Sequence, residues 1–198
     1  MQSPAFSSGP SKSSGTLPDP KESEVAVADK DKYEMIINGR PIATDRVVEV
    51  LNPANGSVFA TVARADRATI DEAVASARQA FPAWAALPYA ERVAIIRKIG
   101  DVIASHADEV GRLITTEQGK PVADSVDELV QGSMLASYLA DNVSFEPVVY
   151  PSSTGHRIVE HRKPLGVVAA ITPWNSPLQL LWIKLLPALI AGNTVRSS

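Results

Sequence analysis

The stretch Lys163-Pro-Leu-Gly-Val-Val-Ala-Ala-Ile-Thr-Pro-Trp-Asn-Ser-Pro177 decides the fold of this chain. Within it, Val167 to Ile171 is a short continuous apolar run of the kind that buried parallel strands show. Two prolines then break the strand, and Pro177 suits the first turn of a helix. Ligand sites in open α/β sheets lie at such strand-to-helix turns, at the carboxyl ends of the strands. The stretch therefore predicts an α/β fold with a candidate site at Trp174 and Asn175.

The residues after this stretch predict a helix and the start of another strand. Leucines recur along one face after Pro177, and Gly192-Asn193 is a typical helix end. Thr194-Val195 then begins what should be the next strand. A strand, a helix and a second strand in this order are typical of a parallel α/β unit.

Upstream, turn residues divide the chain into short strands. Asn38-Gly39 lies between two short apolar runs, which is a strong type I′ hairpin signal. Val47 to Leu51 and Val58 to Val62 flank a turn rich in Asn, Pro and Gly, and they predict two more strands. A later pair of apolar segments around Pro151-Ser-Ser-Thr-Gly155 predicts another hairpin.

Four helices are expected between the two strand regions. Apolar residues recur at helical spacing from Ile70 to Phe81, and the pattern continues to about Asn142. Thr69 and Glu72 have the spacing of a capping box, so the first helix is predicted to begin there. Residues 1–32 contain few large apolar residues and are expected to be a disordered tail.

Composition excludes several classes of function. The chain has 198 residues, a formal net charge of −3 and no cysteine. No basic face stands out, which argues against nucleic acid as a partner. Without cysteine there is no disulfide, no thiolate metal site and no cysteine nucleophile. The three histidines form no ligand motif, so no metal site is expected.

The sequence favours a cytoplasmic protein with no membrane partner. Met1 to Asp31 has no apolar core of a signal peptide and contains several acidic residues. Leu165 to Ile183 is uncharged and about as long as a membrane span. However, Pro173, Asn175 and Pro177 lie at its centre, where a lipid-exposed helix would leave backbone groups unsatisfied.

Asn175 has two interpretations. Its neutral amide has two donors and could stabilise a developing oxyanion beside a helix start. Alternatively, it caps the helix, since Asn is among the best N-cap residues. Spacing alone favours the cap.

Trp174 and Lys184 also have two interpretations each. Trp174 is either the wall of a site for a flat ligand or an aromatic residue of the core. Lys184 lies on an otherwise apolar helix face. If it is buried, it must be paired or functional, because an unpaired buried ammonium is very costly. Otherwise it extends its charged end to water.

The segment Pro164 to Leu178, followed by Lys184-Leu-Leu-Pro-Ala-Leu-Ile-Ala-Gly-Asn-Thr-Val195, closely resembles the NAD(P)-dependent aldehyde dehydrogenase superfamily. Upstream, Ile37-Asn-Gly39, Asn52-Pro53 and Glu117-Gln-Gly-Lys-Pro121 resemble the amino-terminal half of that family. The resemblance extends from about Tyr33 to Val195.

The resemblance implies a division of the chain. Residues 33–144 and 164–198 would form part of a Rossmann-like cofactor-binding domain, and 145–163 a hairpin of the small oligomerisation domain. NAD or NADP is the implied cofactor, a small aldehyde the substrate, and a homo-oligomer the assembly of the full-length form.

The resemblance also implies residue roles. Asn175 would donate to the oxyanion formed when a cysteine attacks the aldehyde, and Lys184 would help proton movement near the cofactor ribose. The nicotinamide and ribose side of the cofactor would be lined by Ile171, Thr172, Pro173 and Trp174.

The family's catalytic cysteine and general-base glutamate would lie beyond Ser198, and no cysteine of this chain can replace the nucleophile. We therefore expect a truncated chain that has no dehydrogenase activity alone. The alternative is a non-catalytic fragment that associates with a full-length relative, or an incomplete gene product. The choice between NAD and NADP and the identity of the aldehyde stay open at this stage.

Overall fold

The chain alternates short strands with helices and ends in a β–α–β unit. The computed structural model of this protein describes residues 32–197. The helices are α1 (Arg67–Ala86), α2 (Tyr89–Ser105), α3 (Ala107–Gln118), α4 (Val122–Asn142) and α5 (Pro177–Ile190). The strands are β1 (Lys32–Tyr33), β2 (Met35–Ile37), β3 (Arg40–Ile42), β4 (Val47–Leu51), β5 (Val58–Ala63), β6 (Val148–Tyr150), β7 (Ile158–Glu160), β8 (Val167–Ala170) and β9 (Thr194–Ser197).

The β8–α5–β9 unit confirms the prediction from the stretch around Pro177. The two strands pair in parallel, from Val167 opposite Thr194 to Ala170 opposite Ser197. β8 ends one residue before the predicted Ile171, a difference within the usual uncertainty of element ends. The turn between β8 and α5 therefore lies at the carboxyl end of a parallel strand, where α/β proteins place ligands.

The predicted hairpins are present. β2 and β3 pair around Asn38 and Gly39, whose φ angles of 52° and 71° are those of a type I′ turn. β4 pairs antiparallel with β5, and β1 adds to β5 in parallel. β6 and β7 form the later hairpin. Lys32, the last residue of the predicted tail, lies in β1, and the rest of that tail, residues 1–31, lies outside the described residues.

The predicted start of the first helix is wrong by three residues. α1 begins at Arg67, and Asp66 is its N-cap. The Asp66 carboxylate accepts hydrogen bonds from both the backbone N–H and the hydroxyl of Thr69, each at 2.8 Å. The backbone hydrogen bond from Thr69, followed by its hydroxyl, lowers the pKa of Asp66. The capping-box pattern failed because Thr69 is the donor of the cap rather than its acceptor.

The core lies between α2, α4 and α5. Its fully or nearly fully buried residues are Ile96, Ala136, Leu139, Leu186 and Ile190. Gly132 of α4 lets α5 approach closely, because a Cβ at this position would lie 2.3 Å from the Trp182 ring. α5 is therefore packed closely against α4.

Asn193 closes the β–α–β unit. Its side-chain oxygen accepts hydrogen bonds from the backbone N–H groups of Leu165, at 2.6 Å, and Gly166, at 3.0 Å. Its amide donates to the Ala188 carbonyl at 3.1 Å. Asn193 is only 6% exposed. One side chain thus ties the entry of β8 to the carboxyl end of α5, which gives a physical reason for an asparagine in the Gly-Asn-Thr-Val sequence.

Replacing Asn193 by alanine should lower the free energy of unfolding by about 2–4 kcal/mol, because the buried Asn193 side chain makes three hydrogen bonds and two backbone donors lose their acceptor. Urea denaturation of the purified chain measures this change. Asn142→Ala is the matched control: the Asn142 side chain is exposed and only donates to the Tyr138 carbonyl of its own helix. Equal effects of the two substitutions would contradict the role given to Asn193.

Candidate functional site

The six predicted site residues lie in or shortly after the turn between β8 and α5. Ile171, Thr172, Pro173 and Trp174 follow directly on β8, Asn175 comes next, and Lys184 lies in the third turn of α5. The turn is open: Ile171 is 69% exposed and Trp174 is 83% exposed. Trp174 is therefore not an aromatic residue of the core.

Asn175 does not cap helix α5. The N-cap is Ser176, which makes no side-chain capping hydrogen bond, and Pro177 occupies the first helical position. The Asn175 side chain is exposed and makes no hydrogen bond to any residue between 32 and 197. Its two amide donors are thus free to bind another group.

Asn175 and Trp174 form one wall of a groove of about 460 Å³. Three segments that are distant in sequence meet there: the turn at Pro53, the loop that follows α3, and the β8–α5 turn. The lining residues are Pro53, Glu117, Gln118, Gly119, Lys120, Trp174 and Asn175. Ile171, Thr172, Pro173 and Lys184 are not among them.

Gly119 allows two of these segments to meet. It ends α3 in the left-handed conformation, with φ of 75°, which glycine adopts without strain. A Cβ at Gly119 would lie only 2.9 Å from the Pro53 ring. Glycine is therefore required here both by its backbone angle and by the close contact, and the groove wall depends on it.

Lys184 is half-buried and forms no ion pair with any residue between 32 and 197. Its Nζ donates to the Leu180 carbonyl of its own helix at 3.3 Å. Among residues 32–197, no carboxylate lies within salt-bridge distance of this ammonium. The weak contact to a carbonyl leaves Lys184 able to donate to another group.

Glu128 and Lys120 are functional candidates that sequence reasoning missed. Glu128 lies in α4 and is only 3% exposed. Its Oε2 accepts from the backbone N–H groups of Leu178 and Gln179, each at 3.0 Å, and its Oε1 pairs with the Lys120 ammonium. The signal in the sequence is an acidic residue at an apolar position of an amphipathic helix, between Ser125 and Leu129.

Because of Glu128, the N-terminus of α5 is not an open anion site. A free helix N-terminus attracts phosphate or carboxylate groups through its unpaired N–H groups and its dipole. Here an internal carboxylate already occupies the N–H groups of Leu178 and Gln179. The ligand capacity of this turn therefore lies in the side chains of Trp174 and Asn175.

Neither a cluster of metal-ligand side chains nor a membrane-spanning helix is present in the part of the chain that the structure describes. Between residues 32 and 197, no three His, Asp or Glu side chains cluster in a way that could hold a metal ion. Over the same residues, no helix has the length and apolar character needed to cross a bilayer.

Comparison with known proteins gives one family. Residues 41–196 match the model of the aldehyde dehydrogenase family. The mitochondrial succinate-semialdehyde dehydrogenase of Arabidopsis thaliana is 36% identical over 153 residues, which is 76% of this chain and 29% of the relative. The glutarate-semialdehyde dehydrogenase of Pseudomonas putida is 35% identical over 170 residues, 83% of this chain and 35% of that protein. The chain thus spans about a third of the length of these relatives.

Solved structures share the fold. An aldehyde dehydrogenase from Brucella melitensis biovar abortus superposes with a TM-score of 0.79 and 36% identity, over 87% of this chain and 37% of that one. An NADP dependent enzyme of E. coli superposes with a TM-score of 0.78 and 32% identity, over 84% and 35% of the two chains. PnpE, solved in complex with nicotinamide adenine dinucleotide, gives a TM-score of 0.76 and 36% identity, over 83% and 35%.

Asn175→Ala should change the free energy of unfolding by less than about 0.5 kcal/mol, because the side chain is exposed and caps nothing. Asp66→Ala, which removes a true N-cap, should cost about 1 kcal/mol. Urea denaturation of both variants and the parent chain provides the test. A loss of about 1 kcal/mol or more for Asn175→Ala would restore the capping interpretation.

Proposed function

The chain belongs to the aldehyde dehydrogenase family, and from this premise we propose that it forms part of a site that oxidises an aldehyde to a carboxylic acid with NAD or NADP. The observation that carries the proposal is the free amide of Asn175 on the wall of a groove at the carboxyl end of β8. A neutral donor at this place suits an oxygen that becomes negatively charged during the reaction.

We assign Asn175 the role of oxyanion donor. When a cysteine thiolate attacks the aldehyde carbon, the carbonyl oxygen gains negative charge, and the Asn175 N–H stabilises it. The chain contains no cysteine, so the nucleophile must come from a segment outside these 198 residues. Once the adduct carbon has lost its hydride, the carbonyl re-forms as a thioester, and water hydrolyses it to release the carboxylic acid and the free thiol.

The cofactor, when bound, supplies the acceptor for the hydride that leaves the aldehyde carbon. We propose that its nicotinamide and ribose side lies against Ile171, Thr172, Pro173 and Trp174. The high exposure of Ile171 and Trp174 supports this, since both offer apolar surface to a flat ring. Lys184, whose Nζ is held only by a carbonyl at 3.3 Å, would assist proton movement near the ribose.

The domain division belongs to the same proposal. Residues 33–144 and 164–198 would form part of the cofactor-binding domain, and the hairpin over 145–163 would contribute to a homo-oligomer of the full-length form. Val149 and Ile158 of this hairpin are more than half exposed, which suits a surface that meets another subunit. A small aldehyde is the proposed substrate, and the cytoplasm is the proposed location.

A second candidate function is association without catalysis. Leu165 is 92% exposed, and Ile171 and Trp174 beside the turn are also largely exposed. Leu165 lies before β8 and the other two after it, so exposed apolar side chains at both ends of this strand could be covered by another chain. Such a chain would associate with a full-length relative. Size-exclusion chromatography with light scattering tests this, and a stable soluble monomer that does not bind the relative would contradict it.

The purified 198-residue chain should form no NADH or NADPH from an aldehyde, because loss of the covalent nucleophile costs several orders of magnitude in rate. NAD(P)H absorbance measures the reaction with NAD⁺ and NADP⁺ in turn. Aldehyde oxidation by this chain at rates typical of the family would contradict the proposal that the nucleophile lies elsewhere.

A chimera tests the role of Asn175. In it, this chain replaces the matching 170 residues of the Pseudomonas putida relative, which supplies the rest of the enzyme. Asn175→Ala should lower kcat about 100- to 1000-fold, as expected for the loss of an oxyanion donor. Asn142→Ala, at an exposed position, is the control and should leave kcat unchanged. An Asn175→Ala chimera as active as the control would refute the assignment.

A further inference from the structure

Glu128 is a buried acid whose charge is fully engaged. Its side chain is 4% exposed, and a buried carboxylate is costly unless charge and hydrogen bonds compensate it. Three donors do so here: the Lys120 ammonium at Oε1, and the N–H groups of Leu178 and Gln179 at Oε2. We call Glu128 with these three donors the Glu128 clamp.

The clamp replaces the missing cap of helix α5. Leu178 and Gln179 occupy the second and third helical positions, whose N–H groups have no partner inside a helix. Ser176 makes no side-chain capping bond, and Pro177 has no N–H. A carboxylate from α4 therefore satisfies the start of α5, and the favourable interaction with the helix dipole adds to the two hydrogen bonds.

The clamp also joins the two walls of the groove. Lys120 lies in the loop on one side, and Asn175 precedes the clamped turn of α5 on the other; both line the groove. Asn175 makes no side-chain hydrogen bond of its own within residues 32–197. Its place therefore depends on its backbone. The carbonyl of the neighbouring Ser176 accepts from the Leu180 N–H in the first turn of α5, and Glu128 holds that same turn through Leu178 and Gln179.

We propose that Glu128 is a positioning residue, which holds the Asn175 amide at a set distance from the loop that contains Lys120. This inference rests on the proposed role of Asn175 as oxyanion donor. Glu128 does not touch the reacting atoms; it acts through α5 on one side and through Lys120 on the other.

The test uses ¹⁵N NMR of the full chain without cofactor or aldehyde. Glu128→Ala should raise amide hydrogen exchange at Leu178 and Gln179 about tenfold or more, because both N–H groups lose their acceptor. The Asn175 side-chain amide signals should move. Asp127→Asn is the matched control, since Asp127 is the exposed neighbour in α4, and it should change neither reading.

Glu128→Gln and Lys120→Met separate the two halves of the clamp. Glutamine still offers an oxygen to Leu178 and Gln179, so their exchange should stay within about threefold of the parent chain. The ion pair between Glu128 and Lys120 is lost in either variant, so the signals of Gly119 and of the Asn175 side chain should both move. These milder variants carry the test if Glu128→Ala does not fold.

Unmoved Asn175 signals in folded Glu128→Gln and Lys120→Met would overturn the inference, as would unchanged exchange in folded Glu128→Ala. Kinetic measurements on the chimera distinguish a failure of this inference from a failure of the proposed function. There, Glu128→Gln should lower kcat with little change in KM, because an oxyanion donor acts mainly in the transition state. If the NMR signals change while kcat of the chimera does not, Glu128 still positions the turn, but Asn175 is not the oxyanion donor.

Discussion

One buried charge organises the site. Glu128 lies in the packed interior between α4 and α5, where a carboxylate is tolerated only if its charge and its lone pairs are satisfied. The start of α5 and the Lys120 loop meet these needs together. Lys120 lines the groove, and the start of α5 follows closely on Asn175 of its wall. The requirement to satisfy one acid therefore fixes the relative place of two segments that are more than fifty residues apart. The side chains of Trp174 and Asn175 in the open turn can then remain free of internal hydrogen bonds.

The groove explains why three sequence motifs belong together. Pro53, Gly119 and Asn175 come from segments that the sequence shows separately, and the structure brings all three to one surface. Gly119 makes the contact with Pro53 possible through its left-handed backbone and its missing Cβ. Asn193 stabilises the β8–α5–β9 unit, because its side chain ties the start of β8 to the carboxyl end of α5. The identity of each of these residues has a local physical explanation, and together they hold the Asn175 amide at the carboxyl end of β8.

Much of the fold could be predicted from local patterns. The apolar run after Gly166, the proline at position 177 and the Asn38-Gly39 turn each determine a local conformation, and the structure confirms β8, α5 and the β2–β3 hairpin. The N-cap of α1 was harder to predict, because Asp66 and Thr69 both suit this position and only the backbone geometry selects Asp66. The partners of Glu128 could not be predicted, since Leu178 and Gln179 lie fifty residues away and contribute backbone groups, which leave no mark in the sequence. Asn175 was identified from its residue type and its position in the turn before α5. Whether it caps α5 could not be predicted, because the distant Glu128 binds the start of that helix.

The central claim is that Asn175 points its amide at the oxygen of the reacting aldehyde. The most direct measurement is a crystal structure of the chimeric enzyme trapped as its covalent aldehyde adduct. We predict that the Asn175 Nδ2 lies about 2.7–3.1 Å from the adduct oxygen, the range of an oxyanion hydrogen bond, with Glu128 still bound to the start of α5. An amide turned away from that oxygen, or bonded instead to the protein backbone, would contradict it.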